Sequence, residues 1–264
     1  MTYCLGIITK AGLVMAADSR TNAGVDYVST ARKLFEFSRP GERVILIATA
    51  GNLSITQSVI NEIREDLKHG VAGNIHGQDT LYHVADYLGN KIRLVGDKNR
   101  QRLEQDGISA SCSFLLGGQL ANEPPELFMI YSQGNFLQAT PETPYLQIGE
   151  IKYGKPILDR IIRFNDSSLD ECAKCALLSL DSTMKSNISV GPPIYLTLYP
   201  ANHYKIERRM QFPLGDPYLL NLRKSWEDSL KHAFQDLPTL EWNAYEVEAL
   251  GEIPGEPEAN WAMF

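Results

Sequence analysis

The residues with the clearest chemical potential stand at the start of the chain. A hydroxyl is a poor nucleophile until a base takes its proton, and a terminal threonine carries such a base in its own α-amino group. Thr2 follows Met1 directly in "MTYCLGIIT", and Thr is small enough for ordinary processing to remove the methionine. The ordinary pKa of an α-amine, about 7.7–8.0, leaves a useful neutral fraction near physiological pH. One residue could then supply nucleophile and general base together. Such chemistry calls for a cation beside the hydroxyl, to lower its pKa and steady developing negative charge. Lys33 is a candidate, and a buried lysine needs an anionic partner. Asp18, at the end of the second strand-like run, can be that partner. Fifteen to sixteen residues separate Thr2 from Asp18 and Asp18 from Lys33, a spacing that can bring all three to one end of an antiparallel sheet. Gly51 lies between "RVILIATA" and a helix-like stretch from Asn52, where a backbone N–H could hold an oxyanion. Each residue also has a plain structural reading: Asp18 as a turn former, Gly51 as a tight strand-to-helix turn. Their joint order and spacing favour the chemical one.

Other constellations offer less. His69, His76 and His83 lie seven apart, but Gly70, Gly73 and Gly77 interrupt any helix that would give them one face. Cys172 and Cys175 form a C-x-x-C within "LDECAKCALLSLDSTM", where positions i and i+3 share the buried face of an amphipathic helix. A zinc site would need two further ligands, so core packing is the better reading and no metal is expected. No P-loop lysine, dinucleotide fingerprint or G-x-S-x-G elbow is present.

Those residues sit in a chain of 264 with 44% hydrophobic content, enough for a sizeable core. Its formal charge of −7 leaves no basic excess for nucleic acid or an anionic membrane surface. No apolar run is long enough for a membrane span. Residues 2–9 are apolar but short and lack a basic region ahead of them, unlike a signal peptide. The four cysteines show no disulfide-framework spacing. A cytoplasmic protein is expected.

The elements that must position the candidates read as hairpins and helix pairs. "TYCLGIIT" with "LVMAADSR", and "KLFEFS" with "RVILIATAG", read as antiparallel hairpins. Helices follow over "NLSITQSVINEIREDLKHG", with Ile55, Val59, Ile63 and Leu67 at helical spacing, and over about 79–96. Strands return at "SASCSFLLGGQL", "ELFMIYS", "FLQA" and "YLQIG". A second helix pair covers about 154–164 and 168–186, and strands "PPIYLTLYP" and "HYKIERRMQF" follow. This order suggests antiparallel sheets with helices layered outside. No linker-like boundary occurs before about residue 212. Beyond it comes one more amphipathic helix, with Leu219, Leu222, Trp226, Leu230 and Phe234 on one side. The acidic, Pro/Gly-rich end closes on Trp261, Met263 and Phe264, either a docked tail or an anchor for another subunit.

The set resembles the proteasome β-subunit family of N-terminal-nucleophile (Ntn) hydrolases. The carrying residues are Thr2, "GLVMAADSRTNAG" around Asp18, Lys33, "ATAGNLS" around Gly51, "LLGG" at 115–118 and "IGEIKYGKPILDR", in family order over about residues 2–200. Within it, "MTYCLG", "SRTNAGVDYVSTARK" and "SVGPPIYLTLY" look most like Anbu, the bacterial ancestral β-subunit-type branch. The resemblance implies an α+β fold, a four-layer α-β-β-α sandwich over residues 1–212. A helical and extended C-terminal extension, 213–264, would pack on the same domain or on a neighbouring subunit.

By the same resemblance Thr2 is the nucleophile and its α-amine the base. Lys33 tunes the pair, Asp18 orients Lys33, and the Gly51 N–H polarises the scissile carbonyl. An extended peptide would lie against the segments around Asn22 and Gly51, with Thr21, Ala31, Thr49 and Leu53 lining an uncharged first pocket. No cofactor is implied. Self-association into a ring or an open helix is implied, whereas any ATP-driven unfolding partner would be a separate protein. Two positions depart from the family pattern. Gly149-Glu150-Ile151 replaces the usual Gly-Ser-Gly, and Asn187 stands where an Asp is usual, with Ser186 and Ser189 as possible substitutes.

Three readings follow. The leading one is a threonine-type peptide or amide hydrolase exposed by removal of Met1. The second is a non-catalytic assembly or binding subunit that kept the fold, and Glu150 and Asn187 are its best support. The third is a hydrolase of a small non-peptide amide. A retained Met1 would carry the α-amine itself and deny Thr2 this mechanism.

Overall fold

The computed structural model describes residues 1–23 and 27–242, and the side chains of residues 22, 23, 27 and 28 lie outside that description. Elements are numbered in chain order. The chain opens with a hairpin, β1 (Tyr3–Thr9) and β2 (Gly12–Ala17), in which every residue is buried. Two faces must therefore be covered. One sheet runs in the order β10 (Tyr145–Gly149), β1, β2, β11 (Ile194–Pro200) and β12 (Arg208–Phe212), with every neighbouring pair antiparallel. A second antiparallel sheet orders β5 (Leu34–Glu36), β6 (Arg43–Gly51), β7 (Cys112–Leu120), β8 (Glu126–Ile130) and β9 (Phe136–Gln138).

Strand alternation shows how the layers join. On β6, Val44, Leu46 and Ala48 meet Leu13, Met15 and Ala17 of the first sheet. Ile45 and Ile47, on the opposite face, pack instead under the helices α1 (Leu53–Lys68) and α2 (Leu81–Gln105). On the far side, α4 (Leu169–Ser186) packs on β1, β2 and β11, and α3 (Lys155–Ile161) packs on α4. The order helix, sheet, sheet, helix is the expected four-layer α+β sandwich.

Local signals explain the starts of two helices. Asn52 Oδ1 accepts from the backbone N–H groups of Ser54 and Ile55 at 3.0 and 3.3 Å, starting α1. Ser168 and Glu171 form a reciprocal capping box at α4. Cys172 and Cys175 are buried on that helix.

Several boundaries differ from the sequence reading. Helix α2 runs to Gln105, well past residue 96. Its polar C-terminal half needs only helix propensity, which a periodicity test does not register. The last strand begins at Arg208 because Asn202 and Tyr204 take positive φ in the preceding turn. A two-stranded ribbon, β3 (Arg20–Ala23) with β4 (Tyr27–Thr30), also appears within "SRTNAGVDYVST", which lacks an apolar face to announce it.

Chain contacts divide into two compact units, Met1–Arg223 and Lys224–Phe264. Helix α5 (Pro217–Gln235) begins in the first. Of the five apolar positions expected to share its side, only Leu219 is buried, while Leu230 and Phe234 are exposed. Trp261, Met263 and Phe264 lie outside the described residues.

Candidate active site

Strand register brings the first two candidates together. Asp18 continues β2 opposite Tyr3: its N–H donates to Tyr3 C=O at 3.1 Å, and its Oδ1 accepts the Tyr3 N–H at 3.0 Å. The peptide group joining Thr2 to Tyr3 is thereby fixed to Asp18. Lys33 precedes β5, and its C=O accepts from the Thr49 N–H at 2.9 Å, tying it to β6. Its Nζ donates to Asp18 Oδ1 at 2.8 Å and to the Arg20 C=O at 2.6 Å.

This ion pair is almost fully buried, Asp18 at 0% and Lys33 at 3% exposed. Burial pushes the Asp18 carboxyl up, and the Lys33 ammonium and the backbone donors pull against it. Asp18 Oδ2 also accepts from Arg20 N–H and Gly191 N–H at 3.2 and 3.1 Å. Four donors converge on one carboxyl, which only the ionised form can serve throughout.

Thr2 is held at its carbonyl, which accepts from the Glu150 N–H at 2.7 Å. The approach is close enough to need Gly149: its φ is +88°, and a Cβ there would lie 1.9 Å from Thr2 O. Gly51 is required in the same way at the end of β6. Its φ is +101°, and a Cβ would meet Ser111 O at 2.4 Å.

A cavity of about 950 Å³ opens beside these groups, and Thr2, Lys33, Thr49, Gly51 and Gly149 line it together. Thr21 and Leu53 line it too, as does Ser29, which the sequence did not single out. Ala31 is not among the lining residues, and its N–H donates to Ser19 C=O at 2.8 Å. Asn22 sits in β3 opposite Val28, its side chain outside the described set. The positions departing from the family pattern also come together. Asn187 Nδ2 donates to Glu150 Oε2 at 3.0 Å, and the Ser189 N–H donates to Asn187 Oδ1 at 3.0 Å. Ser186 is exposed at the end of α4.

The terminal amine, carried here by Met1, lies within reach of these charges. Burial pushes it below its ordinary value, Lys33 pushes the same way, and Asp18 and Glu150 oppose. The neutral form, the one able to take a proton, is favoured.

Sequence reasoning missed the support beneath Thr2. Tyr3 is fully buried, and its hydroxyl sits 2.6 Å from Ser179 Oγ, which donates onward to Gly154 C=O at 3.0 Å. Gln147 Nε2 donates to the same phenol oxygen. A buried Tyr must find a partner, so Tyr3 carried a signal, but its partner lies on α4 far along the chain.

Competing chemistry finds no comparable place. Cys4 is buried, and burial pushes its thiol well above the ordinary value. Burial pushes Cys172 and Cys175 up to about 12. Among the described residues no group of three or more His, Cys, Asp or Glu could hold a metal ion, and no helix is long and apolar enough to cross a membrane.

Comparison with known proteins shows the family of the chain. The family described as Proteasome subunit matches residues 2–196. Anbu (ancestral beta-subunit) from Yersinia bercovieri is 41% identical, with a TM-score of 0.84, covering 90% of this chain and 98% of its own. A Gly-1 mutant of Anbu from Hyphomicrobium sp. strain MC1 is 40% identical, with a TM-score of 0.84 and coverage of 91% and 100%. The helical assembly of the Anbu complex from Pseudomonas aeruginosa is 40% identical, with a TM-score of 0.83 and coverage of 92% and 100%. None of the curated proteins matches.

Proposed function

Because the chain belongs to the proteasome-subunit family, in its Anbu (ancestral β-subunit) branch, we propose that it is an N-terminal-threonine hydrolase of peptide or related amide bonds. The observation that carries this reading is the buried Lys33–Asp18 pair, whose Lys33 lines the cavity that Thr2 also lines. Removal of Met1 makes the Thr2 nitrogen the terminal amine. That amine takes the Thr2 hydroxyl proton as Oγ attacks the substrate carbonyl. Lys33 stabilises the charge developing at Oγ, and the Gly51 N–H binds the oxyanion. Collapse breaks the amide bond: the proton passes to the leaving amine, and the acyl group stays on Thr2 as an ester. Water, deprotonated by the same amine, releases the acid and restores the hydroxyl.

The substrate would lie extended between β3 and the end of β6, held mostly by backbone hydrogen bonds. Thr21, Thr49 and Leu53 suit an uncharged side chain of modest size. A small non-peptide amide would use the same nucleophile without the extended groove. Self-association accompanies the reading, since a helical assembly is named for the Pseudomonas aeruginosa relative.

A non-catalytic subunit is the second reading, and the departures at Glu150 and Asn187 are what favour it. Against it stands their forming a bonded pair rather than two unrelated losses. The deciding experiment is intact-mass analysis after exposure to an electrophile that needs both a hydroxyl and an α-amine, comparing the parent chain with Thr2→Ala. A single adduct on Met1-free parent protein, absent from the variant, supports the hydrolase. Fully processed protein that forms no Thr2-dependent adduct overturns it.

A further inference from the structure

Glu150 and Asn187 meet beside the chain terminus. Glu150 follows the Gly149 bend at the end of β10; its N–H binds the Thr2 carbonyl, and its side chain is only 8% exposed. Asn187 arrives from the end of α4. Its N–H donates to Thr183 C=O at 2.8 Å, and its Oδ1 is engaged by the Ser189 N–H. That acceptor role fixes which way the amide faces and leaves Nδ2 to donate to Glu150 Oε2. The same Nδ2 lies 3.7 Å from Met1 Sδ. A neutral amide thus orients the Glu150 side chain and brings no second carboxylate to it. An Asp at 187 would instead set two carboxylates within hydrogen-bonding distance, which disfavours the charged form of one.

We propose that Glu150, oriented by Asn187, is a positioning residue that supplies the counter-charge for the terminal amine of the processed chain. The proposal rests on the reading of Thr2 given above. On the amine of Met1 the charged side chains that act come from three elements: Lys33 ahead of β5, Asp18 after β2 and Glu150 after β10. The Thr2 nitrogen adjoins the same groups, since the Glu150 N–H holds the Thr2 carbonyl and Asp18 holds the Tyr3 N–H. The end of α4 contributes the neutral Asn187. Burial and Lys33 both favour the neutral amine. Asp18 opposes them, but its charge is already bound to the Lys33 ammonium at 2.8 Å. Glu150 is therefore the second carboxylate that keeps the amine basic. A general base works best when its pKa stays near the working pH, and an amine driven too low would be neutral but a poor proton acceptor. The Ser-to-Glu departure at 150 is then a change of tuning, with the amide at 187 as its matching half.

The test titrates the amine directly, apart from any turnover. Processed protein is labelled competitively with acetic anhydride across pH, and the N-terminal peptide is quantified by mass spectrometry. Glu150→Gln removes the charge and keeps an acceptor for Asn187. It should lower the amine midpoint by at least about half a pH unit, and the rising limb of adduct formation should move acid by the same amount. Glu150→Asp, which keeps the charge, should stay close to the parent. Asn187→Ala should shift the same way as Glu150→Gln, by less. A Glu150→Gln midpoint equal to the parent's overturns the proposal whether or not the protein is an enzyme. If Glu150→Gln does not fold, an unshifted Asn187→Ala midpoint overturns it equally. A shifted midpoint without any Thr2-dependent adduct keeps the counter-charge and overturns the hydrolase reading instead.

Discussion

Lys33 Nζ is held from two sides, by Asp18 Oδ1 at 2.8 Å and by the Arg20 carbonyl at 2.6 Å. Asp18 is held in turn by the backbone N–H groups of Tyr3, Arg20 and Gly191. The ammonium thus has a fixed position at the cavity wall, and the backbone that fixes it is the one that carries Thr2.

Removing one member of this pair should damage both fold and chemistry. Lys33→Met leaves the Asp18 carboxylate buried without its cation, a loss of about 3–5 kcal/mol for a pair of this kind. Urea denaturation should show that fall in midpoint. Adduct formation at Thr2 should slow by about 10²–10⁴-fold. A Lys33→Met protein reacting at the parent rate would remove Lys33 from the proposed mechanism.

Thr2 is half-exposed and its carbonyl, not its side chain, is what the fold grips. Thr2→Ala should therefore change stability by no more than about 0.5 kcal/mol while abolishing the adduct. Thr2→Ser should keep it, at a lower rate. Thermal melts and intact mass read the two effects separately, and a large stability loss in Thr2→Ala would contradict this account.

Gly51→Ala is expected to be costly at a site with no side chain to lose. The positive φ alone carries strain of about 1–3 kcal/mol, and the new methyl would collide with Ser111 O and Cys112 Cα. The backbone must move, and the N–H offered to the oxyanion moves with it. Both the melting temperature and the adduct rate should drop.

Asp18 was legible beside Tyr3 because a short hairpin fixes the register of β1 on β2. Lys33 departs from the single sheet that its spacing suggested: it stands ahead of β5 in the other sheet and reaches Asp18 across the layers. Gly191 was not legible as a donor: a backbone N–H has no side-chain signature, and it reaches Asp18 from 173 residues away. Ser179 escaped for a similar reason, being one small residue among many on α4. Ser29 was hidden with the β3–β4 ribbon, whose polar strands show no alternation. Antiparallel sheets with helices layered outside were visible in the order of hairpins and helix pairs, and the four-layer sandwich came with the family resemblance. The reach of α2 was not visible, since its exposed end carries no periodic apolar residues.

A pH effect unrelated to catalysis should arise at His76. Its Nδ1 is buried without a hydrogen-bond partner, and burial, with Arg39 and Arg43, pushes the imidazole down to about 4. In the unfolded chain His titrates near its ordinary value of about 6.5. Between those values the unfolded state binds the extra proton, so this residue lowers stability progressively as pH falls from about 6.5 to about 4, and adds nothing further below. His76→Gln should flatten that stretch of the stability profile, measured by denaturant midpoints across pH, and an unchanged slope would count against it.

The main chain grips Thr2 from its carbonyl onward, by Glu150 on one side and through Tyr3 by Asp18 on the other, and Met1 ahead of it is 66% exposed. Anything attached before Thr2 therefore has a way out through the cavity mouth without disturbing a strand. An affinity tag, an acetyl group or an uncut methionine would leave a preparation that folds and melts normally. In the proposed mechanism each would also take away the base. Batches of this protein should be judged by the mass of their first residue, because purity and secondary structure would look the same in competent and silent material.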